Sequence, residues 1–274
     1  MTSPKPNEPL LKVKDLSKNF GGLRAVNRIN LELYPGDLAG LIGPNGAGKT
    51  TAFNLVTGVY QPTEGQITFK GQEIGGVAPH IINQMGIART FQNIRLFPSL
   101  TVLENVCIAY HSHAGYSMQD AILRNGRFET KEKELLEKAQ DFLSIFNMQD
   151  RQAEIARNLP YGQQRRLEIA RALAANPELL LLDEPAAGMN PNESIALMDL
   201  IHFIRDRFKL TILLIEHQMR VVMGVCEKIT VMDFGEVIAY GAPQEIQSNP
   251  RVVEAYLGRG AAELSEKLQR SKAQ

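Results

Sequence analysis

The sequence contains no tryptophan and only two cysteines among its 274 residues. Cys107 and Cys226 lie far apart, and neither belongs to a C-x-x-C or Cys/His ligand spacing. This pattern argues against a disulfide framework and against a structural zinc site. We expect both side chains to be buried, reduced thiols of a cytosolic protein.

Two kinds of hydrophobic segment are also missing. No run approaches the ~18 consecutive apolar residues that a membrane-spanning helix requires. The polar, proline-containing N-terminus lacks the apolar core of a secretory signal. We therefore expect a soluble chain that associates with a membrane only through a partner.

An excess of charge of either sign is absent as well. The 30 Lys and Arg residues balance the 30 Asp and Glu residues, so the composition gives no indication of a nucleic-acid partner. His111 and His113 could suggest a metal site, but no third ligand lies near them in the sequence. The length suits one large domain or two small ones.

What the sequence does contain is a phosphate-binding loop pattern, Gly43-x-x-x-x-Gly48-Lys49-Thr50. It follows an apolar run typical of a buried strand and precedes a segment that can begin a helix. Glycines let backbone N–H groups turn towards phosphates, and the helix N-terminus favours an anion. Lys49 would contact the terminal phosphates and Thr50 would bind Mg²⁺. The nucleotide-binding candidates are Gly43, Pro44, Asn45, Gly46, Ala47, Gly48, Lys49, Thr50 and Thr51.

The pattern of apolar residues predicts the surrounding elements. Expected strands cover residues 10–16 and 29–33, which pair antiparallel, a short segment within 63–71, the buried parallel strands 179–182 and 211–215, and a hairpin formed by 229–232 and 236–239. Expected helices cover residues 51–57, 80–85, 102–109, 121–123, 131–146 and 165–175. We expect residues 1–9 to be disordered and residues 263–274 to form a frayed tail.

Two adjacent acids, Asp183 and Glu184, end the strand of four leucines. Ligands bind outside the carboxyl ends of strands in open α/β sheets. There Asp183 can hold Mg²⁺ through its water shell, and Glu184 can orient and deprotonate the water that attacks a γ-phosphate. The alternative is a solvated pair of acids in a loop.

Further motifs flank these two sites in a fixed order. R-T-F-Q-N contains Gln92, L-P-Y-G-Q-Q-R-R begins at Leu159, P-A-A-G-M-N-P follows Glu184, and His217 follows the second buried strand. Together they resemble the ATP-binding subunit of ABC transporters over residues 10–258. The resemblance implies an α/β P-loop NTPase with a RecA-like, mostly parallel core sheet and an antiparallel β subdomain. Residues 10–91 and 160–258 would form the nucleotide-binding core, residues 92–159 and the start of the next helix an inserted α-helical subdomain, and residues 259–274 a C-terminal tail.

The resemblance also implies a role for each matching residue. Phe20 would stack on adenine, Gln92 would sense the γ-phosphate and Mg²⁺, and His217 would contact the γ-phosphate. Asp183 would be the Walker B acid, Glu184 the general base, and Asn190 the end of the D-loop. Each has a simpler interpretation: Phe20 could be a core residue, and Gln92 and His217 could be structural.

The signature loop departs from the family's usual L-S-G-G-Q. It reads Leu159-Pro160-Tyr161-Gly162-Gln163, without the serine hydroxyl and one glycine. In the family this loop closes on the ATP held by the other subunit. A hydrogen bond to a charged group is worth about 1.5–3 kcal/mol, so we expect an active but weakened site. Gly162 and Gln163 would still bind the partner's nucleotide, whereas Asn190 replaces the common aspartate of the D-loop.

The chain resembles the larger ATP-binding subunit of branched-chain amino acid importers in five stretches, A-R-T-F-Q-N-I-R-L-F, N-L-P-Y-G-Q-Q-R-R-L-E-I-A-R-A-L, D-E-P-A-A-G-M-N-P, L-L-I-E-H-Q-M-R-V-V-M-G-V and N-P-R-V-V-E-A-Y-L-G. This implies ATP and Mg²⁺, a second ATP-binding subunit that is identical or a paralogue, two membrane permeases and, indirectly, a solute-binding protein. The location would be the cytoplasmic side of the plasma (inner) membrane, with Ile94–Leu100 either contacting the permeases or buried under the helices. The alternatives are urea-type import, lipopolysaccharide-type export, a DNA- or ribosome-directed ATPase of the same superfamily, and a nucleotide switch without useful hydrolysis.

Overall fold

The computed structural model describes residues 8–111, 118–123 and 126–257. The strands are β1 (Leu11–Phe20), β2 (Leu23–Leu33), β3 (Leu38–Ile42), β4 (Glu64–Phe69), β5 (Gln72–Glu73), β6 (Ile87–Arg89), β7 (Leu179–Asp183), β8 (Thr211–Ile215), β9 (Lys228–Asp233) and β10 (Glu236–Gly241). The helices are α1 (Lys49–Val56), α2 (Pro79–Met85), α3 (Val102–His111), α4 (Met118–Leu123), α5 (Gly126–Ile145), α6 (Tyr161–Ala174), α7 (Pro191–Phe208), α8 (Met219–Val225), α9 (Pro243–Ser248) and α10 (Pro250–Leu257).

The main sheet has six strands in the order β10-β9-β3-β8-β7-β6. Five of them run parallel, and β10 pairs antiparallel with β9 at one edge. Strands β3, β7 and β8 are buried along their whole length, as expected for short apolar runs in a sheet covered on both faces. The predicted parallel strands and the closing hairpin are confirmed.

The leucine strand β7 divides its side chains between two hydrophobic cores. Leu180 and Leu182 pack with α3, α5 and α6 on one face. Leu179 and Leu181 pack with α1 and the antiparallel sheet on the other. Side chains alternate across a strand, so these leucines join both layers of the protein. The strand therefore holds its carboxyl end, and Asp183 with it, in a fixed position.

The smaller sheet is antiparallel, in the order β2-β1-β4-β5. β1 and β2 pair from Leu11 opposite Leu33 to Phe20 opposite Leu23, which confirms the antiparallel prediction. Both strands are longer than predicted, because the turn-rich segment between them continues the ladder as far as Phe20. The hairpin carries that aromatic side chain to one end of the sheet.

Helices α3, α5 and α6 pack against one another and against the main sheet. The ring of Phe142 on α5 lies 5.2 Å from Phe146, 5.7 Å from Phe208 on α7 and 6.1 Å from Tyr110 on α3. One hydrophobic core runs from these helices into the main sheet without a break. The division at residues 92 and 160 consequently stays a prediction from the resemblance.

Several local expectations need correction or fall outside the described residues. Helix α1 begins at Lys49, two residues earlier than predicted, and the thiol of Cys107 is half-buried, whereas that of Cys226 is buried. The described parts of the chain contain no helix that is both long enough and apolar enough to cross a membrane. Residues 1–7, His113 and the tail 259–274 lie outside the described ranges.

Candidate nucleotide-binding and hydrolysis site

The phosphate loop connects β3 to α1, and its backbone leaves no room for side chains at two glycines. A Cβ on Gly43 (φ 149°) would lie 2.0 Å from the carbonyl oxygen of Met232, and one on Gly48 (φ 99°) would lie 2.5 Å from that of Ala25. Gly48 caps α1 without a side-chain hydrogen bond. Because Gly48 has no side chain that could cap α1, the N–H groups of the first turn can face an anion, as they do at other anion-binding helix N-termini.

Lys49 lies folded over this loop and is 7% exposed. Its Nζ donates to the carbonyl oxygens of Gly43 at 2.8 Å and Pro44 at 3.0 Å. Burial lowers the pKa of Lys49, and the negative charges of Glu184 and Asp183 act in the opposite direction. The structure therefore brings the ammonium group, the loop and both acidic side chains into one electrostatic environment.

The remaining loop residues differ in exposure. Ala47 is buried, Asn45, Gly46 and Thr50 are exposed, and Pro44 and Thr51 are half-buried. The Thr50 hydroxyl stands on the first turn of α1, where an oxygen ligand of a divalent ion would be needed.

Asp183 is 3% exposed at the end of β7. Its Oδ2 accepts a hydrogen bond from Nη2 of Arg89 at 2.7 Å. Arg89 ends the neighbouring strand β6, and its Nη1 also donates to Oδ1 of Asn54 at 2.6 Å. The sequence analysis did not select Arg89. The available signal was that Arg89, the first residue of R-T-F-Q-N, directly follows two apolar residues.

Replacing Arg89 with methionine tests this buried ion pair. The change leaves the Asp183 carboxylate without its counter-ion, so we expect the free energy of unfolding to fall by about 3–5 kcal/mol. Arg205→Met is the matched control, because the carboxylates that Arg205 contacts, Glu227 and Asp206, are largely exposed. Such surface pairs contribute about 0–1 kcal/mol. Urea denaturation at neutral pH compares the two variants, and equal losses would contradict the role of Arg89.

Glu184 begins the loop after β7 in the left-handed region, with φ 47°. Its backbone N–H donates to the carbonyl of Ile215 at 2.9 Å, which fixes this conformation. Its Oε2 accepts from Nε2 of Gln92 at 2.8 Å and lies 3.6 Å from Nδ1 of His217. Three predicted residues that are far apart in sequence therefore meet at one carboxylate, which is only 17% exposed.

The neighbouring Glu216 is fully buried, and sequence reasoning did not select it. Its Oε2 accepts from the backbone N–H groups of His217 at 2.9 Å and Gln218 at 3.1 Å. Its Oε1 accepts from the N–H of Ala186 at 2.9 Å. One carboxylate thus joins the loop that carries Glu184 to the loop that carries His217. An acid directly before a candidate histidine, at the end of an apolar strand, was the available signal.

The signature residues Gly162 and Gln163 lie in the first turn of α6. They share a groove with Asn190 and Glu193, whose lining contains no phosphate-loop residue among the described residues. The Asn190 side chain accepts from the N–H groups of Asn192 and Glu193 at 3.0 Å each and so caps α7. Its side chain therefore has a structural use within its own chain.

Phe20 is exposed at the end of β1 and is not part of the core. Its ring stacks edge-to-face on Tyr60 at 5.2 Å, and Nζ of Lys18 lies 5.2 Å from the ring centre. The exposed ring offers an apolar surface for a flat heterocycle next to a positive charge.

These residues fit a nucleoside triphosphate with a divalent ion. The loop backbone and Lys49 supply phosphate donors, and Thr50 and Asp183 supply oxygen ligands of the kind that Mg²⁺ takes. The described residues contain no group of three His, Cys, Asp or Glu side chains that could hold a metal ion. That is consistent with Mg²⁺ sites in which substrate phosphates complete the coordination.

Comparison with known families and structures agrees with this geometry. The family model described as ABC transporter matches residues 26–187. A second model, branched-chain amino acid ATP-binding cassette transporter, matches residues 236–262. These two matches cover the phosphate loop, Asp183 and Glu184, and the region beyond β9.

Two curated relatives align along nearly the whole chain. The high-affinity branched-chain amino acid transport ATP-binding protein LivG of Escherichia coli is 46% identical over 252 residues, covering 92% of this chain and 99% of the relative. The lipopolysaccharide export system ATP-binding protein LptB of Haemophilus influenzae is 33% identical over 249 residues, covering 91% and 97%.

Solved structures show the same fold. An ATP-binding cassette of an ABC transporter in its ADP conformation superposes with a TM-score of 0.80 at 31% identity, covering 92% of this chain and 100% of that one. A dimeric cassette in a post-hydrolysis state, bound to ADP and Pi, superposes with a TM-score of 0.71 at 25% identity, covering 85% and 98%. The chain therefore belongs to the ABC transporter family and is an ATP-binding subunit whose hydrolysis of ATP is coupled to transport.

Proposed function

We propose that this chain is the ATP-hydrolysing subunit of an importer for branched-chain amino acids. The main support for ATP hydrolysis is that Gln92 and His217 both lie against the Glu184 carboxylate next to the phosphate loop. The solute is supported by the 46% identity to LivG, against 33% to LptB, and by the match of the branched-chain family model at residues 236–262. These same values disfavour lipopolysaccharide-type export.

In this proposal Glu184 accepts the proton of the water that attacks the γ-phosphate. Gln92 and His217 hold the carboxylate in place and lie where they can respond to the γ-phosphate, while Lys49 balances the phosphate charge. Mg²⁺, held by Thr50, Asp183 and Gln92, would neutralise charge that develops on the phosphates. A nucleotide switch without hydrolysis would have no use for a carboxylate held in this way.

A second ATP-binding subunit completes the nucleotide-binding site. Gly162 and Gln163 belong to a surface separate from the phosphate loop of their own chain, which favours contact with a nucleotide held elsewhere. The N-cap of α6, Pro160, provides no side-chain hydrogen bond, so its first N–H groups can face an anion. ATP then joins two subunits, and hydrolysis lets them separate.

The loop after Gln92 supplies the surface for the membrane permeases. The side chain of the buried Asn105 binds the backbone of Phe97 twice. Its Oδ1 accepts from the N–H of Phe97 at 2.9 Å, and its Nδ2 donates to the carbonyl of Phe97 at 3.1 Å. The Phe97 side chain is nevertheless 44% exposed. It borders a groove of about 340 Å³ that Ile108 and Arg171 also line. A rigid loop with an exposed aromatic ring suits a docking site on the cytoplasmic face of the plasma membrane.

Phe97→Ser tests this docking site. We expect the variant to bind the permease subunits about tenfold or more weakly, because aromatic anchors in interfaces contribute about 1.4 kcal/mol or more. Phe203→Ser is the control, since Phe203 is 45% exposed on α7, away from this groove. Affinity for permeases in detergent is measured for both, and equal affinities would exclude Phe97 from the interface.

The proposed solute is tested in proteoliposomes that contain this chain, its partner ATP-binding subunit and both permeases. With a solute-binding protein outside, we expect ATP-dependent uptake of labelled leucine, isoleucine and valine, together with faster release of phosphate. Labelled urea serves as the comparison. Uptake of urea alone, or none of the amino acids, would refute the branched-chain assignment.

A further inference from the structure

Arg165 is the largest fully buried side chain in the described part of the protein, and its exposure is 0%. It lies on α6, one helical turn after the signature residue Gly162. Its Nη1 donates to Oε2 of Glu168 at 2.6 Å, and Glu168 is itself only 2% exposed. Removing two charges from water is costly, so such a pair needs further hydrogen bonds to be stable.

Three further hydrogen bonds of this pair reach into the loop around Gln92. Nη1 of Arg165 donates to the carbonyl of Phe91 at 2.7 Å, and Nη2 donates to that of Gln92 at 2.8 Å. Oε1 of Glu168 accepts from the N–H of Arg95 at 3.0 Å. The ion pair therefore grips the backbone before and after the Gln92 side chain.

The same guanidinium group also touches the signature turn. Its Nη2 lies 3.4 Å from the hydroxyl of Tyr161, the residue that replaces the first signature glycine. The Tyr161 ring lies against Gly188, where an added Cβ would be 3.5 Å from the ring. A chain of contacts thus runs from Glu184 through Gln92 and Arg165 to the beginning of α6.

We propose that Arg165, braced by Glu168, is the positioning residue that couples the two ATP sites of the assembled transporter. Gln92 contacts the catalytic carboxylate of its own chain, and the α6 turn contacts the nucleotide of the partner subunit. Because one buried side chain holds both, a shift of Gln92 moves the signature turn. This rests on the proposed function, in which Gly162 completes the partner's site.

The chemistry of the pair favours this role over a purely structural one. Apolar residues of similar volume commonly replace a buried ion pair without loss of stability, and sometimes with a gain. Only a planar guanidinium group presents several donors in a fixed fork that can serve two carbonyls and a carboxylate together. The side chain is therefore suited to holding a loop in one defined position.

The test measures ATP hydrolysis by the assembled transporter, with this chain carrying Arg165→Met, Arg165→Lys or the double change Arg165→Met with Glu168→Leu. The double variant removes both charges, so neither charge is left buried without its partner. For it we expect unchanged affinity of the isolated chain for ATP, a kcat lowered about 2- to 30-fold, the range in which coupling residues act, and a Hill coefficient for ATP that falls towards 1. Arg165→Lys should recover part of both kcat and the Hill coefficient.

A double variant that folds, binds ATP and keeps the wild-type kcat and Hill coefficient would overturn the proposal. A double variant that is as stable as the wild type but has a Hill coefficient near 1 supports the proposal. If the ion pair had only a structural role, a stable variant would keep the wild-type Hill coefficient. The wild-type transporter separates the two claims. If it hydrolyses no ATP, the proposed function fails, whereas normal wild-type hydrolysis with an equal double variant refutes only the coupling by Arg165.

Discussion

Replacing Glu184 with glutamine will slow steady-state ATP hydrolysis by about 10²–10⁴-fold, the usual contribution of a general base. The amide has the same size as the carboxylate and can still contact Gln92 and His217, but it cannot accept the proton of the attacking water. The phosphate loop is unchanged, so the affinity for ATP should stay close to that of the wild type. Phosphate release and binding of a fluorescent ATP analogue measure the two effects.

Glu227→Gln is a suitable control for this experiment. The Glu227 side chain is 56% exposed and pairs with Arg205, away from the phosphate loop. Its turnover should equal that of the wild type. Wild-type turnover in the Glu184 variant would remove Glu184 from the role of base, and loss of ATP binding would show that its main effect is on the loop.

The strands that carry the site could be predicted because their patterns are local. Four consecutive leucines and T-I-L-L-I are short apolar runs, which are typical of strands buried on both faces. The glycine spacing from Gly43 to Gly48 indicates a tightly turning backbone without help from distant residues. The structure confirms the two strands as β7 and β8. The assignments of individual residues to nucleotide, metal and catalysis stay predictions.

Helix α7 was missed although its signals are in the sequence. Asn190 caps it, Pro191 occupies its first position, and Glu193 completes a capping box, which is a recognised start pattern. Strand β6 is different, because three residues are too few to show a period of two. Short elements of this kind depend on the neighbouring strand for their conformation.

The polar contacts that organise the site could not be predicted from sequence spacing. Arg89 and Asp183 are 94 positions apart, and Gln92 and Glu184 are 92 positions apart. The position of Glu216 directly before His217 marks it as a candidate, but nothing local in the sequence indicates which N–H groups donate to its carboxylate. Such partners are set by the order of strands in the sheet, which places the carboxyl ends of β6, β7 and β8 side by side.

The second large effect concerns Gly162. Gly162→Asp places a negative charge in the first turn of α6, where we propose that the phosphates of the partner's ATP bind. An acidic residue in the first turn is compatible with the helix dipole, and the nearby Glu193 carboxylate is the far end of a flexible side chain that can move away, so the chain should fold. Loss of a preorganised donor at a reacting phosphate costs about 10²–10³-fold in rate, and we expect hydrolysis of the ATP held by the partner subunit to fall by at least that factor.

Gly162→Ala provides the matched control without a charge. An added Cβ would lie 3.2 Å from Oε1 of Glu193, the far end of a flexible side chain that can move slightly. This variant should lose much less activity than the aspartate variant. Equal losses would point to crowding at the turn instead of repulsion of a phosphate.

In the proposed transporter, ATP held by one chain is hydrolysed only when the Gly162 turn of another subunit closes over it. The most direct measurement compares Gly162→Asp in two settings, ATP binding by the isolated chain and ATP hydrolysis by the assembled transporter. We expect ATP binding equal to that of the wild type together with strongly reduced hydrolysis. Weakened binding in the isolated chain, or wild-type hydrolysis in the assembled transporter, would contradict it.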